Sequence, residues 1–109
     1  MIISVCVVAY NEQKVLPDLL ECIKSQDYPH NQMEVVLIDS CSEDNTKKIM
    51  EKFREENKDF VNVQVLDNPR KIQAAGWNVA IKNYKGDAIL RVMRMQQFPR
   101  NLFVKMQRS

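Results

Sequence analysis

Apolar residues gather in two nearly continuous runs, Ile2-Ile3-Ser4-Val5-Cys6-Val7-Val8-Ala9 and Glu34-Val35-Val36-Leu37-Ile38, both rich in β-branched side chains. Such runs predict strands buried on both faces of a parallel sheet. Each breaks into polar residues that lead into a helical pattern. After the first, Val15, Leu16, Leu19, Leu20 and Ile23 recur at helical spacing, predicting an amphipathic helix from near Gln13 with Pro17 in its first turn. Asp27-Tyr28-Pro29 ends it, because proline disfavours helix in the residue before it. The second strand opens at Met33 or Glu34. Beyond it, Ser42, Asp44 or Asn45 can cap a helix that turns Ile49, Met50 and Phe53 inward and Lys47, Lys48, Glu51, Lys52 and Glu55 outward. Val61-Asn62-Val63-Gln64-Val65 alternates, predicting a third strand near a sheet edge with one exposed face. A third helix follows Asn68-Pro69 and packs through Ile72, Ala75, Gly76, Val79 and Ala80; Gly86 closes a turn, and a fourth strand covers at least Ala88–Val92.

This β-α-β-α-β-α-β order, with right-handed crossovers, implies a parallel sheet in the order 3-2-1-4 with helices on both faces, an α/β half of a doubly wound fold. Ligands of such sheets bind beyond the carboxyl ends of the strands, where strand order reverses. The polar segments Tyr10-Asn11-Glu12 and Asp39-Ser40-Cys41-Ser42-Glu43-Asp44 fall at that place. Asp39 stands out there, since a parallel strand does not ordinarily need a terminal carboxylate for stability, whereas a carboxylate can accept hydrogen bonds from a nucleotide's base or ribose.

Composition narrows the classes. The chain has 109 residues, 45% of them hydrophobic and 28% charged, with a net charge of +2, as expected of one small domain or part of one. No stretch approaches a membrane span, and the apolar start lacks a basic leader and a small-residue cleavage site, so a cytoplasmic location and no transmembrane segment are expected. Cys6, Cys22 and Cys41 have no metal-like spacing and read as structural thiols. Nothing in this balance calls for a nucleic-acid partner. The average charge hides a break, however. Residues 1–92 carry all 14 acids and 12 of the 16 bases; residues 93–109 carry only bases, Arg94, Arg100, Lys105 and Arg108, and three of the six methionines.

Val8-Ala9-Tyr10-Asn11-Glu12, then Asp39-Ser40-x-Ser42-x-Asp44, then Asn68-Pro69-Arg70-Lys71 leading to Ala74-Ala75-Gly76-Trp77-Asn78-Val79-Ala80, resemble in kind and order the nucleotide-sugar site of family-2 glycosyltransferases of bacterial polysaccharide biosynthesis. The resemblance covers about residues 1–92. It implies the GT-A (Rossmann-like) fold and transfer of a sugar from a nucleotide diphosphate to an acceptor hydroxyl. It assigns Ala9 and Tyr10 to the base pocket and Asp39 to the base or ribose, with Glu12, Asp44, Arg70 and Lys71 on loops around the same mouth. Plainer readings stand beside these: Asp44 as a helix cap, Tyr10 as rim packing, Arg70 and Lys71 as a solvated turn, and Trp77 as core or rim packing in preference to a sugar platform.

The same resemblance calls for an acidic Asp-x-Asp or Asp-x-His motif at the end of the fourth strand, holding a divalent cation on the diphosphate. The chain instead reads Met93-Arg94-Met95-Gln96-Gln97-Phe98-Pro99. Methionine is too soft for magnesium or manganese, and arginine carries the wrong charge. Written as ATG CGC ATG CAG CAA TTC CCN with one G restored in front, the segment becomes GAT GCG CAT GCA GCA ATT CCC, which encodes Asp-Ala-His-Ala-Ala-Ile-Pro. The expectation is therefore a nucleotide-sugar-binding half over 1–92 and an out-of-frame tail over 93–109. No metal or other cofactor is expected for the chain as it stands; Mn or Mg is expected only for an intact homologue. Nucleotide-diphosphate sugar binding is expected to be weak, transfer to be absent because the metal motif and acceptor half are missing, and the exposed core to favour self-association. The alternative is a small non-catalytic α/β module binding a nucleotide or a protein partner, with the basic tail as a docking element.

Overall fold

The computed structural model describes residues 1–92. The out-of-frame reading of 93–109, and any packing of that segment, lie outside the described residues. Four strands, β1 (Ile3–Ala9), β2 (Met33–Asp39), β3 (Asn62–Asp67) and β4 (Ala88–Val92), form one parallel sheet in the order β3-β2-β1-β4. Three helices connect them: α1 (Leu16–Lys24), α2 (Thr46–Glu56) and α3 (Gln73–Asn83). The expected sheet order and the helices on both faces are therefore present.

Alternation along the strands sorts the core into two layers. Ile3, Val5, Val7 and Ala9 of β1, with Val35 and Leu37 of β2, pack against Leu16, Leu19, Leu20 and Ile23 of α1 and Met50 and Phe53 of α2. Cys6, Val36 and Ile38 face the other way and meet Trp77 and Ala80 of α3, with Val8 and Leu66 partly buried beside them. Because β1 and β2 are covered on both faces, neither needs polar alternation, and their apolar runs follow directly.

Three local expectations shift. Helix α1 begins at Leu16 rather than near Gln13, and Val15 stays exposed, because residues 12–15 form a turn: the Glu12 carbonyl accepts from Val15 N at 3.1 Å and Leu16 N at 2.8 Å. Strand β3 lies at the sheet edge as expected, runs one residue later at its start and two later at its end, and its polar face is only partly exposed. Asn62 and Gln64 donate to the buried Glu34 carboxylate at 2.7 and 2.9 Å. Ile72 sits outside α3 as its exposed N-cap residue, while Trp77 takes the buried place on that face. Both glycines permit close packing: a Cβ on Gly76 would lie 2.6 Å from Val8 Cγ1, and one on Gly86 would lie 2.4 Å from Ser4 Oγ and 2.8 Å from the Ile2 carbonyl oxygen.

Candidate functional site

Strand register brings the site together. Ala9 of β1 pairs with Asp39 of β2, which pairs with Asp67 of β3, so three strand ends lie level along one sheet edge. The chain then leaves each strand through a left-handed residue: Asn11 (φ 51°), Cys41 (φ 60°) and Lys71 (φ 65°). None is glycine, and such φ values are uncommon for residues with a Cβ. These turns keep the loops close to the strand ends. Ser40 N donates to the Ala9 carbonyl at 2.9 Å, and Asn68 N donates to the Asp39 carbonyl at 2.8 Å.

Asp39 is 3% exposed, and its two oxygens share the Ser42 N–H at 3.2 and 3.3 Å. Ala9 is buried beside it, and Tyr10, 46% exposed, stands on the rim. Glu12 is exposed on the first loop, where its N–H donates to Thr46 Oγ1 at 2.9 Å. Asp44 lies on the second loop. Its Oδ1 accepts from both Thr46 N and Thr46 Oγ1, and its Oδ2 accepts from Gln13 N at 3.3 Å. Slight burial pushes this carboxyl up, but these hydrogen bonds win and hold it below its usual range. Asp44 thus caps α2 from one position outside the N-cap residue Asn45, as its cap reading required, and also grips the neighbouring loop. Arg70 and Lys71 are exposed on the turn after β3, and neither is ion-paired among the described residues.

Several contributors escape a reading by residue type. Asn68 is fully buried; its Nδ2 bridges Ser40 Oγ at 3.1 Å and the Ile72 carbonyl at 2.9 Å, tying the second mouth loop to the third. Lys47 leans toward the mouth to pair with Asp67 at 2.8 Å, and Asp39 adds to the field that raises its pKa, after the Asp67 hydrogen bond and against slight burial. An asparagine just beyond a strand is the one available signal, since Asn enters the left-handed region more readily than most residues; it applies to Asn11, two residues past β1, and not to Asn68. Cys6 is inert by contrast: burial, then the nearby Glu34 charge, push its thiol up to about 12. Among the described residues no three His, Cys, Asp or Glu side chains are grouped to hold a metal ion.

The chain and its fold are similar to those of known proteins. The model of "Glycosyl transferase family 2" covers residues 4–92. The chain belongs to this family. Among curated relatives, the poly(ribitol-phosphate) β-N-acetylglucosaminyltransferase TarS of Staphylococcus aureus is 38% identical over 89 residues, 82% of this chain and 15% of the relative. A dolichyl N-acetyl-α-D-glucosaminyl phosphate 3-β-D-2,3-diacetamido-2,3-dideoxy-β-D-glucuronosyltransferase of Methanococcus voltae is 28% identical over 103 residues, 94% of this chain and 32% of the relative. The chain thus spans under a third of these relatives' lengths. Among solved structures, S. aureus TarS 1–349 in complex with UDP superposes with a TM-score of 0.81 at 29% identity, covering 99% of this chain and 31% of that one. The mannosyltransferase PcManGT of Pyrobaculum calidifontis, in complex with GDP-Man and Mn2+, gives 0.76 at 28% identity, covering 84% and 26%. The GT-A fold and family-2 membership expected from the motifs are therefore established. No helix of the described residues is long and apolar enough to cross a membrane.

Proposed function

We propose that residues 1–92 are the nucleotide-sugar-binding half of a family-2 glycosyltransferase, and that this chain by itself binds a nucleoside diphosphate sugar weakly without transferring the sugar. The observation that carries the proposal is Asp39: a carboxylate sunk at the sheet's carboxyl edge, level with Ala9 and beside the exposed Tyr10. A base ring fits between Ala9 and Tyr10, with its N–H groups or the ribose hydroxyls donating to Asp39. Arg70 and Lys71 supply positive charge for the diphosphate, and Glu12 and Asp44 shape the loops between. That TarS structures exist with UDP and with UDP-GlcNAc supports this assignment.

Transfer needs more than this half holds. The acceptor hydroxyl must lose a proton to a general base, and the leaving diphosphate must have its growing charge offset. No three His, Cys, Asp or Glu side chains among the described residues are grouped to hold a metal ion. The sequence of 93–109, with four bases, no acid and three of the six methionines, supports an out-of-frame origin for that segment. The three cysteines are free, which suits work in the reducing cytoplasm. Calorimetry against uridine, guanosine and thymidine diphosphates, with and without manganese, tests the binding. Heat with at least one nucleotide, reduced about tenfold in affinity by Asp39→Ala, is expected. No heat with any of them refutes it.

A further inference from the structure

The loop after β1 and the loop after β2 are stitched together by five hydrogen bonds among the described residues, and the stitches run both ways. Asn11 N donates to Ser42 Oγ (2.9 Å), Glu12 N to Thr46 Oγ1 (2.9 Å) and Gln13 N to Asp44 Oδ2 (3.3 Å). In return, Glu43 N donates to Asn11 Oδ1 (2.8 Å) and Asn45 N to Gln13 Oε1 (3.0 Å). Every stitch joins a backbone N–H of one loop to a side chain of the other. Asn11 takes part through both its backbone and its side chain, and its left-handed φ of 51° lets it do both. Asp44 holds Thr46 with one oxygen and the first loop with the other, while the Thr46 hydroxyl donates to Asp44 and accepts from Glu12. Tyr10 directly precedes the first stitched segment, and Asp39 lies three residues before Ser42, to whose N–H it bonds.

We propose that Asn11, Asp44 and Thr46 are positioning residues, which latch the two mouth loops into one cooperative unit and so hold Tyr10 and Asp39 in their binding arrangement before any ligand arrives. The proposal rests on the nucleotide site described above but requires none of the three to touch the nucleotide. Because the stitches exist in the free protein, the ordering of both loops is completed on folding. Binding then loses less entropy than it would with two independent loops.

The test uses the full chain and three variants. Asn11→Gly keeps the left-handed backbone accessible and removes the side-chain acceptor at an exposed position. Thr46→Val preserves buried shape and removes the hydroxyl, and Thr46→Ser keeps it. Amide hydrogen exchange of the free protein is followed at Glu12, Gln13, Glu43 and Asn45, and UDP binding is measured by calorimetry well below the melting temperature. A cooperative latch predicts that Asn11→Gly speeds exchange at Glu43, whose acceptor is gone, and also at Gln13 and Asn45, whose acceptors remain. It predicts an affinity for UDP lowered on the order of tenfold, through a less favourable entropy. Thr46→Val should behave alike and Thr46→Ser should restore both readouts. If Asn11→Gly speeds Glu43 alone, the stitches are independent contacts and the latch is overturned. If exchange rises at all four sites while UDP affinity is unchanged, the residues are merely structural and the positioning role is overturned. If the unaltered chain binds none of uridine, guanosine and thymidine diphosphate, the nucleotide reading fails and the positioning role with it, while the exchange data would still decide whether the loops move as one; if it binds guanosine or thymidine diphosphate instead of UDP, that nucleotide replaces UDP in the test.

Discussion

Replacing Glu34 by glutamine should destabilise the fold, although it exchanges a single heavy atom. Glu34 is 1% exposed at the start of β2, at the opposite end of the sheet from the candidate site. One oxygen accepts from Ser4 Oγ of β1 at 2.6 Å and from Lys85 N before β4 at 2.7 Å. The other accepts from Asn62 and Gln64 of β3 at 2.7 and 2.9 Å. Ser4 Oγ in turn accepts from Gly86 N at 2.9 Å, so one carboxylate clasps β1, β2 and β3 to the turn that leads into β4. Whichever oxygen becomes an NH2, two donors lose their acceptor and face another donor. An unsatisfied buried donor costs roughly 1–3 kcal/mol. Removing a buried charge offsets part of that loss, leaving a net of about 3 kcal/mol. In urea denaturation at pH 7, with a slope of about 1.5 kcal/mol per M, the midpoint should fall by about 2 M. Burial pushes the Glu34 carboxyl up, but the hydrogen bonds from Lys85, Ser4, Gln64 and Asn62 together outweigh it and hold the pKa below its usual value. The folded-state pKa is therefore the lower one. The clasp's contribution is present above the unfolded glutamate value of about 4.3 and is lost as pH falls through the folded value. The gap between the two proteins should accordingly narrow below about pH 4. A Glu34→Gln protein within about 0.5 kcal/mol of the parent at pH 7, or a gap indifferent to acid, would refute this account.

Gly86→Ala should lower stability by about 1–3 kcal/mol, because its Cβ would press on the Ser4 hydroxyl and on the rigid Ile2 carbonyl; thermal melting checks it, and an unchanged melting temperature would count against the close approach. Cys6 should resist alkylation at pH 7.5 while Cys22 and Cys41 react, since its thiol is buried and its pKa is pushed up to about 12; peptide mass spectrometry after brief iodoacetamide treatment distinguishes them, and equal labelling would refute the assignment. Sequencing the gene should show one base missing between the codons for Val92 and Met93, with the adjacent downstream frame open for at least another hundred or so residues, as a domain of ordinary size needs; stops within a few codons of that frame would end the out-of-frame reading of residues 93–109.

The amino-acid sequence alone determined the parallel four-strand sheet, its order and the level at which Asp39 emerges. These follow from local quantities: unbroken β-branched runs, helical spacing of leucines and isoleucines, and the handedness of crossovers. The place of Ala9, Tyr10 and Asp39 at the carboxyl edge was legible for the same reason, because strand ends can be counted from the pattern; the base-pocket roles given to Ala9 and Tyr10 came from the family resemblance alone. Tertiary structure decided what no spacing contains. Helix α1 gave up its first turn because residues 12–15 form a turn and Gln13 bonds across to the β2 loop. The polar face of β3 is partly covered because Asn62 and Gln64 donate to Glu34, 28 and 30 residues away in sequence. Asp44 proved to be a clamp between loops as well as a cap because Gln13 and Thr46 meet only when β1 and β2 lie side by side. Apolar burial is set by each residue's own side chain and so shows in a pattern, whereas a hydrogen bond is set by a partner, and the partner's place is known only once the chain has folded.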